Sequence, residues 1–415
     1  MTAAEAQTIV QRSEFGKRLK ASMDMYGPLC VGIDPHRKLL AKWGYNVDAQ
    51  GAELFAMRML QAAQGRAAAV KFQMPMFERY GSKGFAALER ALFAARQMGV
   101  ITIVDCLRGG LPTTVSALAD AYLKPGAPML ADAITLLPYY GFRSLTNLVG
   151  EALENGRGVF VASVTSNTEG ISLQSAIRQR GDFPGQTVAY GVAHAAQNFN
   201  EGVEGMGSVG LIIGATIGQW MKTSGVDPSV FTGPILSPGY GWQGAEAKDL
   251  KTVFKGTKGN VLVTVSRSIS SKGPEIADLS AATEAIALDV RQALYEAMEE
   301  GDKEQAVEPE APHPGIDPAL TAAHLADGNP PQVHIKPLPK VTIPAASHQM
   351  PQNPQASYSQ QATQQQSQSR QSSATTVKST RYVPSTARVA TTPRANDTLG
   401  NNNDRFKING RSAKL

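Results

Sequence analysis

The stretch "VITIVDCLRGGLPTT" (residues 100–114) opens with five β-branched residues, closes that run on Asp105, and then passes through two glycines. A run that stays apolar at successive positions, instead of alternating, is covered on both faces, as strands of a buried parallel sheet are. Seven other runs share this character: "LCVGID", "AAAVKF", "MLADAITL", "GVFVASV", "VGLIIGA", "GPILSP" and "NVLVTVS". Helical periodicities lie between most of them. "GFAALERALFAARQMG" sets Phe85, Leu88 and Leu92 on one stripe and ends at Gly99, a residue suited to closing a helix. "ATEAIALDVRQALYEAMEE" aligns Ile286, Val290, Leu294 and Met298 at i+4 spacing. Eight strands alternating with helices up to about residue 302 predict an α/β fold, a (β/α)8 TIM barrel. The alternative, an open doubly wound sheet, lacks a glycine-rich dinucleotide turn after the first strand.

The chain has 415 residues, 42% of them hydrophobic, enough for one large core or two ordinary ones. Its formal charge of +5 is unevenly spread. From Ala345 onward there are nine Lys/Arg against two Asp/Glu, so the part before it is close to neutral. Three regions are expected: an N-terminal extension (1–13), a barrel (14–302), and a Pro/Gln/Ser-rich basic tail (303–415). Segments such as "SYSQQATQQQSQSRQSSATT" bury too little apolar area to offset the entropy of ordering, so disorder is expected there. A cationic tail of this kind suits an acidic or nucleic-acid partner, and makes an interaction scaffold one possible function. Cys30 and Cys106 each sit inside an apolar run and read as buried, reduced thiols of a cytoplasmic protein. No secretory or membrane-spanning stretch is visible. The histidines (His36, His194, His313, His324, His334, His348) show no metal-ligand spacing, and no metal is expected.

A TIM barrel carries its active site at the C-terminal ends of its strands. Those ends offer Asp34, Lys71, Asp105 with Leu107 two residues on, Asp132 and Thr135, then Thr165, Ser166 and Asn167. The seventh and eighth strands add Gln243 in "LSPGYGWQG" and Ser266 with Arg267 in "VTVSRS". An arginine fork beside a glycine-rich turn suits phosphate oxygens. Lys71, inside an apolar strand, needs a carboxylate partner, either as a structural pair with Asp34 or Asp105 or as part of a catalytic relay.

Together "VGIDPH", "AVKFQMPMFERYGSKG", "ADAITLLPYYG", "RGVFVASVTSNTEG", "VGLIIGAT", "ILSPGYGWQG" and "SRSIS" resemble the bacterial (type 2) branch of the orotidine 5′-phosphate decarboxylase family, over roughly residues 14–300. The resemblance implies a homodimeric barrel, joined at its mouth, that converts orotidine monophosphate to UMP in pyrimidine synthesis without a cofactor. It also implies that Asp34 contacts ribose and that Lys71 and Asp105 begin the charged catalytic network. Ser166 would address the pyrimidine and Gln243 and Arg267 the phosphate end, while Thr114 would reach the ribose in the partner subunit.

The opening stretch departs from that pattern. The family reads Asp-x-Lys-x-x-Asp where this chain has "DCLRGG", so the general-acid lysine is Leu107 and the second aspartate, contributed across the dimer, is Gly110. Phe72 and Thr168 stand where the family usually has proline. The family reaction leaves an electron pair on C6 of the pyrimidine as CO2 departs, and an ammonium beside C6 stabilises and protonates it. A hydrocarbon does neither. Its loss is expected to slow the reaction by at least ~10³–10⁴, on the order of 4–6 kcal/mol. The reading is of a catalytically impaired nucleotide-monophosphate binder. The alternative is a working decarboxylase in which Lys71 substitutes.

Overall fold

The computed structural model describes residues 14–307. Eight strands close into one parallel barrel in sequence order: β1 (Leu29–Ile33), β2 (Ala69–Gln73), β3 (Ile101–Arg108), β4 (Ala133–Leu136), β5 (Gly158–Val164), β6 (Val209–Ile213), β7 (Ile235–Pro238) and β8 (Val261–Val265). All eight apolar runs therefore form strands, and the TIM barrel is the observed architecture.

Side-chain alternation divides the core into two layers. Outward-facing Val31, Val70, Val104, Val159 and Val263 pack under the surrounding helices. Inward-facing Cys30, Ala69, Ile103, Phe160 and Leu262 fill the lumen. Moving up the strands, the inward series turns polar: Ala69 gives way to Lys71 and Gln73, Ile101 and Ile103 to Asp105, Leu262 to Thr264. On these three strands one face thus supplies hydrocarbon to the bottom and chemistry to the mouth, whereas Ile212 of β6 and Leu236 of β7 stay apolar where they line it.

The bottom is plugged by the helix Phe15–Tyr26, whose Phe15, Leu19 and Met23 are buried in the lumen cluster. Phe15 meets Phe160 edge-on at 5.9 Å, over Gly158, where a Cβ would lie 2.1 Å from the Phe15 ring. Asp132 belongs to this end. It precedes β4, accepts bonds from Arg18 (2.8 Å) and Arg157 (3.1 Å), and caps the Thr102 amide (3.0 Å). Its expected place at the mouth is therefore corrected. The apolar run "MLADAITL" extends back across an acid that serves the barrel floor.

The expected helical stripes are present with shifts. In Gly81–Gln97, Leu88 and Leu92 are buried with three alanines while Phe85 is half-buried, and Gly99 follows in a left-handed conformation (φ 71°). In the last helix, Ile276–Val307, the buried line runs through Leu279, Thr283, Val290, Ala293 and Ala297, leaving Ile286 and Leu294 on its shoulder. That helix continues past the boundary expected at residue 302. The rest of the expected tail and the N-terminal extension lie outside the described residues. Among the described residues no helix is long and apolar enough to cross a membrane.

Candidate active site

A cavity of about 250 Å³ opens at the C-terminal ends of the strands. Asp34, Lys71, Asp105, Leu107, Ser166, Gln243 and Arg267 all line it, joined by Gln73, Thr165, Asn167, Trp242 and Ser266. Gly110 and Thr114 do not. Gly110 is buried in the turn that follows β3, and Thr114 is exposed on the first turn of the helix Pro112–Tyr122.

The charged centre is a fixed pair. Lys71 Nζ donates to Asp105 Oδ2 (2.6 Å) and to Gln73 Oε1 (2.7 Å), and Thr135 Oγ1 donates to Asp105 Oδ1 (2.7 Å). Lys71 is buried and Asp105 largely so, with side-chain exposures of 7% and 13%. Burial by itself pulls the Lys71 ammonium down; Asp105 and Asp34 outweigh it and hold Lys71 above its ordinary value. Asp34 stands at the third corner, and its buried Oδ1 has no hydrogen-bond partner among the described residues. The carboxylate partner expected for Lys71 is therefore Asp105, and both side chains line the cavity. Gln73 went unnoticed in the sequence, although its place two residues after Lys71 puts it on the same strand face.

Leu107 lies beside this pair, by a route that alternation alone does not describe. Between Val104 and Arg108 the β3–β4 register shifts, with Val104 opposite Ile134 and Arg108 opposite Leu136. Such bulges re-aim side chains next to sites. Leu107 has φ +42°, unusual for a residue with a side chain, and its amide donates to Thr135 Oγ1 (2.9 Å). Thr135 thus ties the bulge to Asp105. Arg108 turns away from the cavity and pairs with Glu78 at 2.6 Å. Neighbouring Cys106 is buried on the outer face, and burial pushes its thiol up to about 11.

The opposite wall is a glycine-shaped loop. Gly239, Gly241 and Gly244 all have positive φ, a conformation that suits residues without Cβ. The loop presents Trp242, whose amide is held by Ser268 Oγ (3.1 Å) and whose ring lies 5.5 Å from the Arg267 guanidinium carbon. The Trp242 ring thereby packs on the Arg267 guanidinium, and both line the cavity. Burial lowers His36, near Arg267 and Asp34, below its usual value, so His36 adds little positive charge there at neutral pH. Ser166 is brought in after β5 by close approach to Gly214, where a Cβ would sit 2.7 Å from the Ser166 nitrogen.

The arrangement offers a cationic fork suited to an anion, and carboxylates with an ammonium suited to hydroxyls, in one cavity. A serine and an amide complete it. Comparison with known proteins gives this geometry a family. A profile of the Orotidine 5′-phosphate decarboxylase / HUMPS family matches residues 27–282. The chain is 44% identical to the orotidine 5′-phosphate decarboxylase of Salinispora arenicola over 280 residues, covering 68% of this chain and 98% of that one. It is 42% identical to that of Streptomyces coelicolor, with the same coverage. Among solved structures, a Streptomyces avermitilis protein assigned as an orotidine 5′-phosphate decarboxylase superposes with a TM-score of 0.64 at 40% identity, over 68% of this chain and 96% of its own. Leishmania donovani UMP synthase does so with a TM-score of 0.55 at 27% identity, over 68% and 57%. The chain belongs to the orotidine 5′-phosphate decarboxylase family.

Proposed function

We propose that the cavity binds a nucleoside monophosphate of the UMP type and that the chain is a poor catalyst of the family reaction, orotidine monophosphate to UMP and CO2. Leu107 carries this reading. It lines the cavity beside Lys71 and Asp105, at the position of the family's general acid, and supplies neither a charge nor a proton. The binding groups are in better order. Arg267 and Gln243 suit a phosphate, Asp34 with its unpartnered Oδ1 suits a ribose hydroxyl, and Ser166 suits a pyrimidine edge. Lys71 makes a weak substitute acid. Its Nζ is already committed to Asp105 and Gln73, and a raised pKa reduces its tendency to give up a proton.

A homodimer joined at the mouth is part of this proposal. It is supported by the exposed apolar side chains Leu111 (63%), Tyr139 (72%) and Tyr140 (65%) on the loops following β3 and β4, and by the exposure of Thr114 on the same side. A second reading, active decarboxylation through Lys71, is favoured by the retained Asp34, Lys71 and Asp105 group. Protein purified from a host lacking its own enzyme distinguishes the two. Calorimetry should show UMP binding at micromolar to high-micromolar concentration, while loss of orotidine monophosphate absorbance is slower than in an intact relative by at least ~10³. Turnover at an ordinary enzyme rate establishes the second reading. Absence of UMP binding removes the binding half of the first.

A further inference from the structure

Leu107 belongs to two cavities. The second, of about 490 Å³, lies beyond the ends of β4 and β5 beside the helix Val188–Asn198. It shares Leu107, Thr165 and Asn167 with the nucleotide cavity. Its other walls are largely hydrocarbon, formed by Leu137, Pro138, Phe142, Leu173, Val188 and Val192. Its small polar members are turned toward their own neighbours. Ser163 Oγ donates to the Ala189 carbonyl (3.1 Å), and the Gln174 side chain accepts from the Thr165 amide (3.0 Å) while donating to its hydroxyl (2.7 Å). Thr165 Oγ1 in turn bonds Asn167. Arg178 differs. Its guanidinium packs on Gly191, where a Cβ would lie 1.9 Å from Nη1, and it makes no side-chain hydrogen bond or ion pair among the described residues.

We propose that this second cavity receives an aromatic arm carried by the base of the bound nucleotide, so that the preferred ligand is a base-substituted pyrimidine nucleoside monophosphate and not UMP itself. The inference rests on the nucleotide-binding reading above. A lysine at position 107 would put a strongly hydrated charge in the shared wall; leucine makes the passage between the two cavities apolar. An aromatic ring is the arm that suits both remaining features. It buries a large area against Phe142 and the aliphatic side chains, and its face attracts a guanidinium that has no carboxylate of its own. Ser163, Thr165 and Gln174, already bonded to their own neighbours, lose little when water leaves.

The test compares UMP, 5-benzyl-UMP and 6-benzyl-UMP by calorimetry on the full chain. These substitute the two ring carbons of uracil that carry hydrogen. One of the two analogues should bind at least about tenfold more tightly than UMP, the gain expected when a phenyl group is taken out of water. Leu173→Trp fills the second cavity from its rim, at a residue 48% exposed, so it leaves the core undisturbed. It should abolish the gain and leave UMP affinity within about twofold. If UMP binds and neither analogue gains, as when a second copy of the chain occupies the cavity, the inference fails alone. A gain that survives Leu173→Trp also overturns it. If UMP and both analogues all fail to bind, the nucleotide-binding reading falls and takes the inference with it.

Discussion

Leu107 occupies a backbone conformation that costs any residue with a Cβ on the order of 1 kcal/mol or more, and it does so without the charged head that would make use of the position. On the proposed reading, this geometry makes a lysine at 107 a direct test. Lysine at 107 inherits the same φ and adds no new backbone strain. Gly110 does not need to be glycine, since a Cβ there would meet only Thr114 and Val115 side-chain atoms at 3.7 Å. The double variant Leu107→Lys, Gly110→Asp should therefore fold and raise decarboxylation by at least about 100-fold, read as loss of orotidine monophosphate absorbance. An unchanged rate in a folded, UMP-binding double variant would remove the two positions from the explanation. Lys71 is the reverse case. Its removal strands the Asp105 carboxylate with Thr135 as its remaining side-chain donor, so Lys71→Met should lower unfolding stability by about 3–5 kcal/mol in urea titrations.

The eight strands were legible because each is covered on both faces and so reads as a largely apolar run, and the polar ends of several runs, Lys71 and Asp105 among them, marked the mouth. Three elements were not legible, for separate physical reasons. The plug helix Phe15–Tyr26 is polar over most of its surface. Its one signal is the i, i+4, i+8 spacing of Phe15, Leu19 and Met23, which has meaning only once a lumen exists to receive it. The place of Asp132 at the floor is not legible because a run of apolar letters does not say where pairing begins, and its partners Arg18 and Arg157 lie on other segments. The β3 bulge depends on how two strands meet, and a single strand's alternation cannot encode it. The plug yields a prediction at its own level. Phe15→Ala empties a fully buried ring site against Phe160 and should cost about 3–5 kcal/mol in a denaturant titration. Because that cost is paid at the barrel floor, UMP affinity at the mouth should stay within about twofold, whereas a joint loss would mean that floor and mouth are coupled.

Across the whole molecule, the lumen is a gradient from hydrocarbon to charge, and Cys30 sits where the two meet. Its thiol is fully buried in the inner cluster, with Thr264 and Lys71 on one side of the balance and Asp34 and Asp105 on the other. Burial is the dominant influence and pushes the thiol from 9.0 up to about 12. The sign of the consequence follows from linkage. A group whose folded value lies above its unfolded one contributes stability that is complete below the unfolded value and is lost as pH rises toward the folded one. For Cys30 that window opens near pH 9.0 and extends to about 12. Cys106, raised to about 11, and Lys71, raised above its ordinary 10.5, act in the same direction. Unfolding free energy should therefore hold level between pH 7 and 8.5, then decline through pH 9 to 11 with a slope approaching about 1.4 kcal/mol per pH unit for each thiol. Cys30→Ala should start lower at pH 7, having lost buried volume, but decline less steeply above pH 9. Neither thiol should react with a water-soluble disulfide reagent at pH 8 until the chain is unfolded. A native protein labelled at Cys30 under those conditions, or a Cys30→Ala variant that keeps the full alkaline slope, would show that water reaches the lumen cluster and that its burial does not set the Cys30 thiol.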